Sequence, residues 1–352
     1  MKKMIQTVLL ILLCGCSAVH ESDSPIITFV DDKIVTAFAE DKIDDYFTVE
    51  DESEFDYDVT FDVIDDTAEI CVLATDIYEN ESQECMQYDY YELTFNYDYA
   101  NLSLEDIITL YLDENYLSAE DVAYFYYNTV NQQQVLYNGS TTMLAASTIK
   151  VPLVLGWTNL IEEGTVNEET ALYYSESLYE ASMKDLYYFY PENSYVPLTF
   201  LMEHAIVYSD NTAANILLVN YTSYACETFR EWFVSFSDEV VPESFYSRNQ
   251  MNASMMLNVM KTLYDDSLKY ADIIENMKNA LPNDYFKGNE CDFEVAHKYG
   301  NYDIYRHDMG IFYTSEPFLA GVFTQNIEEI ASQVIADISK IMVEYNIVHL
   351  YE

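Results

Sequence analysis

The spacing of apolar residues along the chain changes once, near residue 100. Up to that point short apolar or alternating runs recur: Ile26–Val30, Ile34–Phe38, Tyr46–Val49, Tyr57–Val63, Ile70–Asp76 and Met86–Leu93. Tyr57, Val59, Phe61 and Val63 alternate with polar residues, the period of a strand that buries one face and wets the other. Acidic or Asn/Ser clusters part the runs at intervals that suit a small all-β sandwich over residues 25–95. Past about Asn101 the period becomes helical. Ser103 followed by Asp106 is a weak capping box ahead of the amphipathic stretch Leu104-Glu-Asp-Ile-Ile-Thr-Leu-Tyr-Leu112. Two short strands are expected around Val122–Val130 and Gln134–Gly139, with Asn138-Gly139 as a turn. Helices fill the middle of the chain. His297–Gly300, Asp308–Thr314 and Phe318–Gln325 then read as strands before a final helix from about Ile327 to Tyr345. Strands, helices, strands again and a closing helix predict an α+β domain over residues 100–352, its sheet built from both ends of that segment.

The first residues follow neither pattern. Lys2 and Lys3 precede an apolar run from Met4 to Leu13 that is too short to span a bilayer, the layout of an export signal. Leu13-Cys14-Gly15-Cys16 resembles a bacterial lipobox, so residues 1–16 are expected to form a lipoprotein signal in which Cys16 is lipidated. An ordinary secretory signal is the alternative. Either reading places the protein outside the cytoplasm, and the first anchors it to the bacterial cell membrane. Export makes disulfides chemically available. Cys71 and Cys85 flank a hairpin and could face each other across it, bonded or reduced. With Cys226 and Cys291 they show no metal-ligand spacing, and no metal or other cofactor is expected.

Charge narrows the partners. The chain carries 62 acidic against 15 basic residues, a formal net charge of -47. Such a field repels nucleic acid, anionic lipid surfaces and other polyanions, and makes a solvated, self-repelling surface. A monomer without a nucleic-acid partner is the expectation.

Three small motifs carry candidate chemistry. Ser147 and Lys150, in the apolar stretch Met143–Trp157, form a Ser-x-x-Lys. At i and i+3 on a helix the two side chains share a face, so the amine reaches the hydroxyl. A serine becomes a nucleophile when a neighbouring base takes its proton, and burial favours the neutral lysine that can do so. Ser209-Asp210-Asn211 opens a second apolar helix, and Lys298-Tyr299-Gly300 opens a strand. Each motif alone has an ordinary explanation: a polar helix face, a helix N-cap, an edge lysine beside a bulge glycine.

In this order and with these flanks, the motifs resemble the class A β-lactamase and penicillin-binding serine hydrolase superfamily, whose signature is Ser-x-x-Lys, Ser-Asp-Asn and Lys-Thr/Ser-Gly. The resemblance spans about residues 100–352 and implies an antiparallel sheet flanked by helices, acting on a β-lactam or a peptidoglycan stem peptide. It implies that Ser147 is acylated and that Lys150 accepts its proton. Ser209 and Lys298 would relay a proton to the leaving nitrogen, and Asn211 would hold the substrate amide and orient Lys150. The backbone N–H groups of Ser147 and Asn301 would form the oxyanion hole, with Gly300 allowing close approach. Lys298 would also face a substrate carboxylate. The preceding segment, with a strand ending in Asp76 before an Asn80-bearing turn, resembles bacterial surface immunoglobulin-like repeats. Glu79 stands where such turns usually carry Gly.

Two positions depart from the superfamily pattern. Tyr299 replaces the small hydroxyl residue that contacts the substrate carboxylate, leaving Arg306 and His307 as candidates for that contact. The Glu-x-x-Leu-Asn loop that activates the deacylating water is missing. Between Asp238 and Asn252 the one glutamate after the proline turn is Glu243, with no Leu-Asn following. Three readings remain open on sequence: a β-lactamase-like hydrolase with slow deacylation, a D-Ala-D-Ala carboxypeptidase, and a non-hydrolytic sensor or adhesion lipoprotein.

Overall fold

The computed structural model describes residues 23–29, 47–64, 67–89, 93–181, 186–288 and 293–349. The expected signal with Cys16, the Ile34–Phe38 run and Cys291 lie outside them. The chain divides into two units, Met1–Tyr91 and Glu92–Glu352.

In the first unit β1 (Ile26–Phe29) pairs antiparallel with β2 (Phe47–Glu50), and β3 (Phe55–Ile64), β4 (Thr67–Asp76) and β5 (Glu81–Asp89) form a three-stranded meander. Alternation drives the burial: Phe47, Ile70 and Val72 are the core, covered by Ile27, Phe29, Val49, Tyr57, Val59, Phe61 and Met86 from both sheets. Strand β5 starts at Glu81, well before the expected Met86, because its first half is polar and its register comes from β4. Cys71 and Cys85 stand opposite each other in that register and are disulfide-bonded. The β4–β5 turn closes on Asp76, whose carboxylate accepts the N–H groups of Tyr78 and Asn80, both at 2.8 Å. Glu79 takes the left-handed conformation there, φ 68°, the geometry that a glycine would adopt without strain.

The second unit is the expected α+β domain. Its sheet has the order β12-β13-β14-β6-β7, all antiparallel: β6 (Val122–Asn128) and β7 (Gln134–Tyr137) come from one end of the unit. The strands β12 (Val295–Tyr302), β13 (Tyr305–Phe312) and β14 (Phe318–Gln325) come from the other. Helix α1 (Leu104–Glu114), capped by Ser103 through the Asp106 N–H at 3.1 Å, packs with the closing helix α8 (Ala331–Val348). Glu344 of α8 is fully buried yet satisfied, accepting the N–H of Thr94 at 2.6 Å, the N–H of Phe95 at 3.2 Å and the Tyr99 hydroxyl at 2.7 Å. A buried carboxylate persists only with such partners.

The larger core joins the sheet to a helical layer: α2 (Lys150–Glu162), α3 (Leu198–Val207), α4 (Asn211–Ala225), α5 (Phe229–Val234), α6 (Ala253–Asp265) and α7 (Ala271–Lys278). Helix α2 is apolar almost all round, so it runs through the interior with Trp157 fully buried. Lys150 is drawn into that interior at its first turn. Short pairs complete the layer, β8 (Met143–Leu144) with β11 (Gln250–Met251) and β9 (Ala171–Tyr174) with β10 (Ser194–Pro197).

Candidate active site

Ser147 sits in the 3-10 turn Ala146–Ile149 that opens directly into α2. The turn is tightened by Thr148, whose N–H and hydroxyl both donate to the Ala145 carbonyl, at 3.1 and 2.6 Å. Ala146 is left-handed, φ 47°, a conformation costing a non-glycine residue about 1–3 kcal/mol and sustained only by its surroundings. Asn249 supplies that hold: its carbonyl accepts the Ala145 N–H at 2.8 Å and its side-chain amide donates to the Ala146 carbonyl at 3.1 Å.

One turn on, the Lys150 Nζ lies within hydrogen-bond distance of four oxygens, more than its N–H groups can serve at once: Ser147 Oγ at 3.0 Å, the Ser209 carbonyl at 2.6 Å, Ser209 Oγ at 3.2 Å and Asn211 Oδ1 at 2.7 Å. Burial pushes this amine down from 10.5 to about 7, against the opposing influence of Asp210 and Glu180. It therefore exchanges a proton near neutrality, as a base for a serine hydroxyl requires.

Ser209 reaches the lysine because it, too, is left-handed, φ 54°, which aims its carbonyl and hydroxyl at the same amine. Asp210 fixes the bend as N-cap of α4: one carboxylate oxygen accepts the Ala213 N–H and the other the Leu186 N–H, both at 2.8 Å. Lys298 approaches Ser209 from the other side, its Nζ 3.0 Å from Ser209 Oγ and 3.1 Å from the Tyr299 carbonyl. Complete burial, and next the neighbouring Lys150, hold Lys298 well below the ordinary lysine range. The one carboxylate acting against that is Asp308, itself 2.7 Å from the buried His297. Two amines thus share one hydroxyl.

Gly300 brings β12 against the nucleophile. A Cβ placed on it would lie 3.0 Å from the Ser147 nitrogen, 3.1 Å from the Ala145 carbonyl oxygen and 3.1 Å from Ala146 Cβ. A glycine suits this position because even a methyl would force one of the two backbones to give by a few tenths of an ångström.

Ser147, Lys150, Ser209, Asn211, Lys298 and Gly300 therefore converge as the motifs implied, and Tyr299 and the exposed Asn301 follow on the same strand. Other expectations need correction. His307 faces inward with Met309 and Ile311, fully buried. Its Nδ1 accepts the Thr324 N–H at 3.2 Å, so its Nε2–H donates to the Leu144 carbonyl at 2.8 Å. Burial pushes it down to about 4, so this neutral ring ties β13 to β8 and has no nitrogen left for a substrate. Arg306 turns Nη1 onto its own hairpin, donating to the carbonyls of Asp303 at 2.6 Å and Tyr305 at 2.9 Å. Glu243 lies exposed on the short turn Glu243–Tyr246 and has no hydrogen bond to a site residue among the described residues.

Glu180 was not foreseen. Its carboxylate accepts the Asn211 side-chain amide at 3.0 Å and that of Asn215 at 3.3 Å, while its backbone is clasped on both sides by the Thr212 hydroxyl, at 3.0 Å each way. The Asn211 donor expected to hold a substrate amide is thus engaged by a carboxylate from the β9–β10 loop. No motif marks Glu180; the one sequence signal is the Asn211/Asn215 spacing, which puts two amides on one helix face. Tyr299 also differs from the pattern. Its ring lies over Lys298 Nζ, 4.2 Å from the centroid, and stacks on Tyr285 at 5.8 Å.

A helix-flanked antiparallel sheet carrying Ser-x-x-Lys, Ser-Asp-Asn and Lys-x-Gly around one point defines the β-lactamase/transpeptidase class. The chain matches the profile of the β-lactamase enzyme family (Beta-lactamase2) over residues 103–346, more than half its length, and belongs to that family. Solved structures agree on the fold. PBP-A is 18% identical, with a TM-score of 0.57 over 68% of this chain and 94% of its own. The TLA-3 extended-spectrum β-lactamase is 17% identical, with a TM-score of 0.59 over 69% and 98%. A β-lactamase from Xanthomonas campestris pv. campestris is 12% identical, with a TM-score of 0.57 over 68% and 99%. No curated protein matches the sequence.

Proposed function

We propose that the protein is an acyl-serine hydrolase acting on β-lactams or D-alanyl amides. Ser147 Oγ attacks the carbonyl, Lys150 takes its proton, and Ser209, backed by Lys298, passes a proton to the leaving nitrogen as the C–N bond breaks. The backbone N–H groups of Ser147 and Asn301 receive the oxyanion. The observation that carries this reading is the buried Lys150 amine 3.0 Å from Ser147 Oγ, which its burial pushes down to about 7. A PBP-A mutant has been captured as an acyl-enzyme complex with penicillin G, which supports the same chemistry here.

Deacylation is proposed to be slow, in the manner of a penicillin-binding protein or D-Ala-D-Ala peptidase. The support is the exposed Glu243, with no bond to the site among the described residues. Export by a lipoprotein signal with Cys16 as the anchor, and an immunoglobulin-like spacer as the first unit, complete the proposal. The Cys71–Cys85 bond is consistent with an oxidising compartment.

Incubation of the protein with a fluorescent penicillin, followed for hours beside Ser147→Ala, tests the reading. A covalent label present only with Ser147 and persisting for hours is expected. Labelling that survives Ser147→Ala overturns the nucleophile, and rapid loss of the label overturns slow deacylation.

A further inference from the structure

Two cationic side chains, Lys298 and Arg306, and the neutral His307 border the end of the cleft at which a substrate carboxylate would be held, and the Lys298 amine and the His307 ring are withheld from it. Lys298 is wholly buried, its amine engaged with Ser209 Oγ and the Tyr299 carbonyl. The Tyr299 ring covers that amine at 4.2 Å and is held by stacking on Tyr285. Arg306 directs Nη1 to its own hairpin carbonyls, and His307 is a buried ring with both nitrogens used.

We propose that Tyr299 is a specificity-determining residue that roofs Lys298, so that the enzyme takes acyl donors whose leaving group carries no carboxylate, such as amidated or peptide-extended D-alanyl compounds. The inference rests on the acyl-serine reading above and names its substrate class. A carboxylate entering here would meet the ring instead of the amine, and would lose water without gaining an ion pair. The ring face already uses the attraction of the amine. The depressed proton affinity of Lys298 acts in the same sense. So does the net charge of -47, which repels anionic donors at longer range. A neutral leaving group forfeits nothing at this end, and the roof gives it an apolar wall.

Two thioesters with the same N-acyl-D-alanyl group test this, one made with mercaptoacetate and the other with mercaptoacetamide. In each, a bond forms between Ser147 Oγ and the carbonyl carbon, the C–S bond breaks, and the thiol leaves with the serine proton; water then releases the same acid. The wild-type protein is expected to turn over the neutral donor at least as fast as the carboxylate donor. Tyr299→Thr uncovers the amine and should shift the ratio of kcat/KM toward mercaptoacetate by about 10- to 100-fold, the worth of one charge-assisted hydrogen bond. Tyr299→Phe keeps the ring and should keep the wild-type ratio. A wild-type preference for the mercaptoacetate donor overturns the proposal, even if Tyr299→Thr does not fold, and so does a folded Tyr299→Thr with an unchanged ratio. Absence of Ser147-dependent turnover of both donors, with no acyl adduct by mass spectrometry, overturns the acyl-serine reading instead.

Discussion

Acylation by this protein should switch on with Lys150 over a pH range that its burial sets. A solvated lysine at 10.5 is neutral in about one molecule in 3000 at pH 7, whereas one at about 7 is neutral in about half. The difference corresponds to about 5 kcal/mol between the two protonation states. It arises from desolvation, which exceeds the opposing influence of Asp210 and Glu180. If neutral Lys150 is the base, the acylation rate falls about tenfold per pH unit below 7 and levels off above about pH 8. Stopped-flow acylation by a chromogenic β-lactam between pH 5 and 9 measures this limb, and Lys150→Ala should lower the plateau by about 10²–10⁴-fold. The displacement also has a stability signature of fixed sign. Between pH 7 and 10.5 the unfolded chain holds a proton here that the folded chain has lost. This residue's contribution to stability therefore rises with pH in that window, by at most about 1.4 kcal/mol per unit. A rate flat from pH 5 to 8, or one still climbing at pH 9, would refute the assignment of Lys150 as the base.

Two further perturbations follow from the same geometry. Gly300→Ala forces a methyl to within 3.0 Å of the Ser147 nitrogen; displacement of the oxyanion donors should slow acylation by about 10- to 100-fold. A variant that acylates within about twofold of wild type would show that this close approach is dispensable. Glu180→Gln removes one of the two carboxylates that raise Lys150, so the acid limb should move to lower pH. Because Glu180 is exposed, the gap from wild type should narrow in high salt, and a limb that moves to higher pH would contradict the assigned sign.

Much of this was legible in the sequence because it depends on local spacing. The period-two run Tyr57–Val63 lies within the strand Phe55–Ile64, Ser103 caps α1, and Ser147 and Lys150 lie one turn apart as their separation requires. The glycine after Lys298-Tyr299 marks a true backbone approach. What escaped depends on contacts between distant segments. Glu180 meets Asn211 and Asn215 across a loop whose path no local pattern fixes. Strand β5 begins among polar residues because β4 supplies its register. His307 could have been read differently, since it alternates in phase with Met309 and Ile311, the face that alternation sends to the core. Tyr299 was recognised as a departure, but only packing shows that its ring closes over Lys298.

The sheet order carries a consequence for when the protein becomes reactive. Strand β6 finds its inner partner in β14, with Phe318 opposite Asn128, and Lys298 and Gly300 lie two strands beyond on β12. A chain emerging from its N-terminus exposes Ser147 and Lys150 long before it holds the strands that place Gly300 beside them. Such distant pairing forms late and slowly. A nascent or truncated chain ending before Gln325 would lack part of the sheet that sets Gly300 beside Ser147, so chemical competence waits on the pairing of these distant strands.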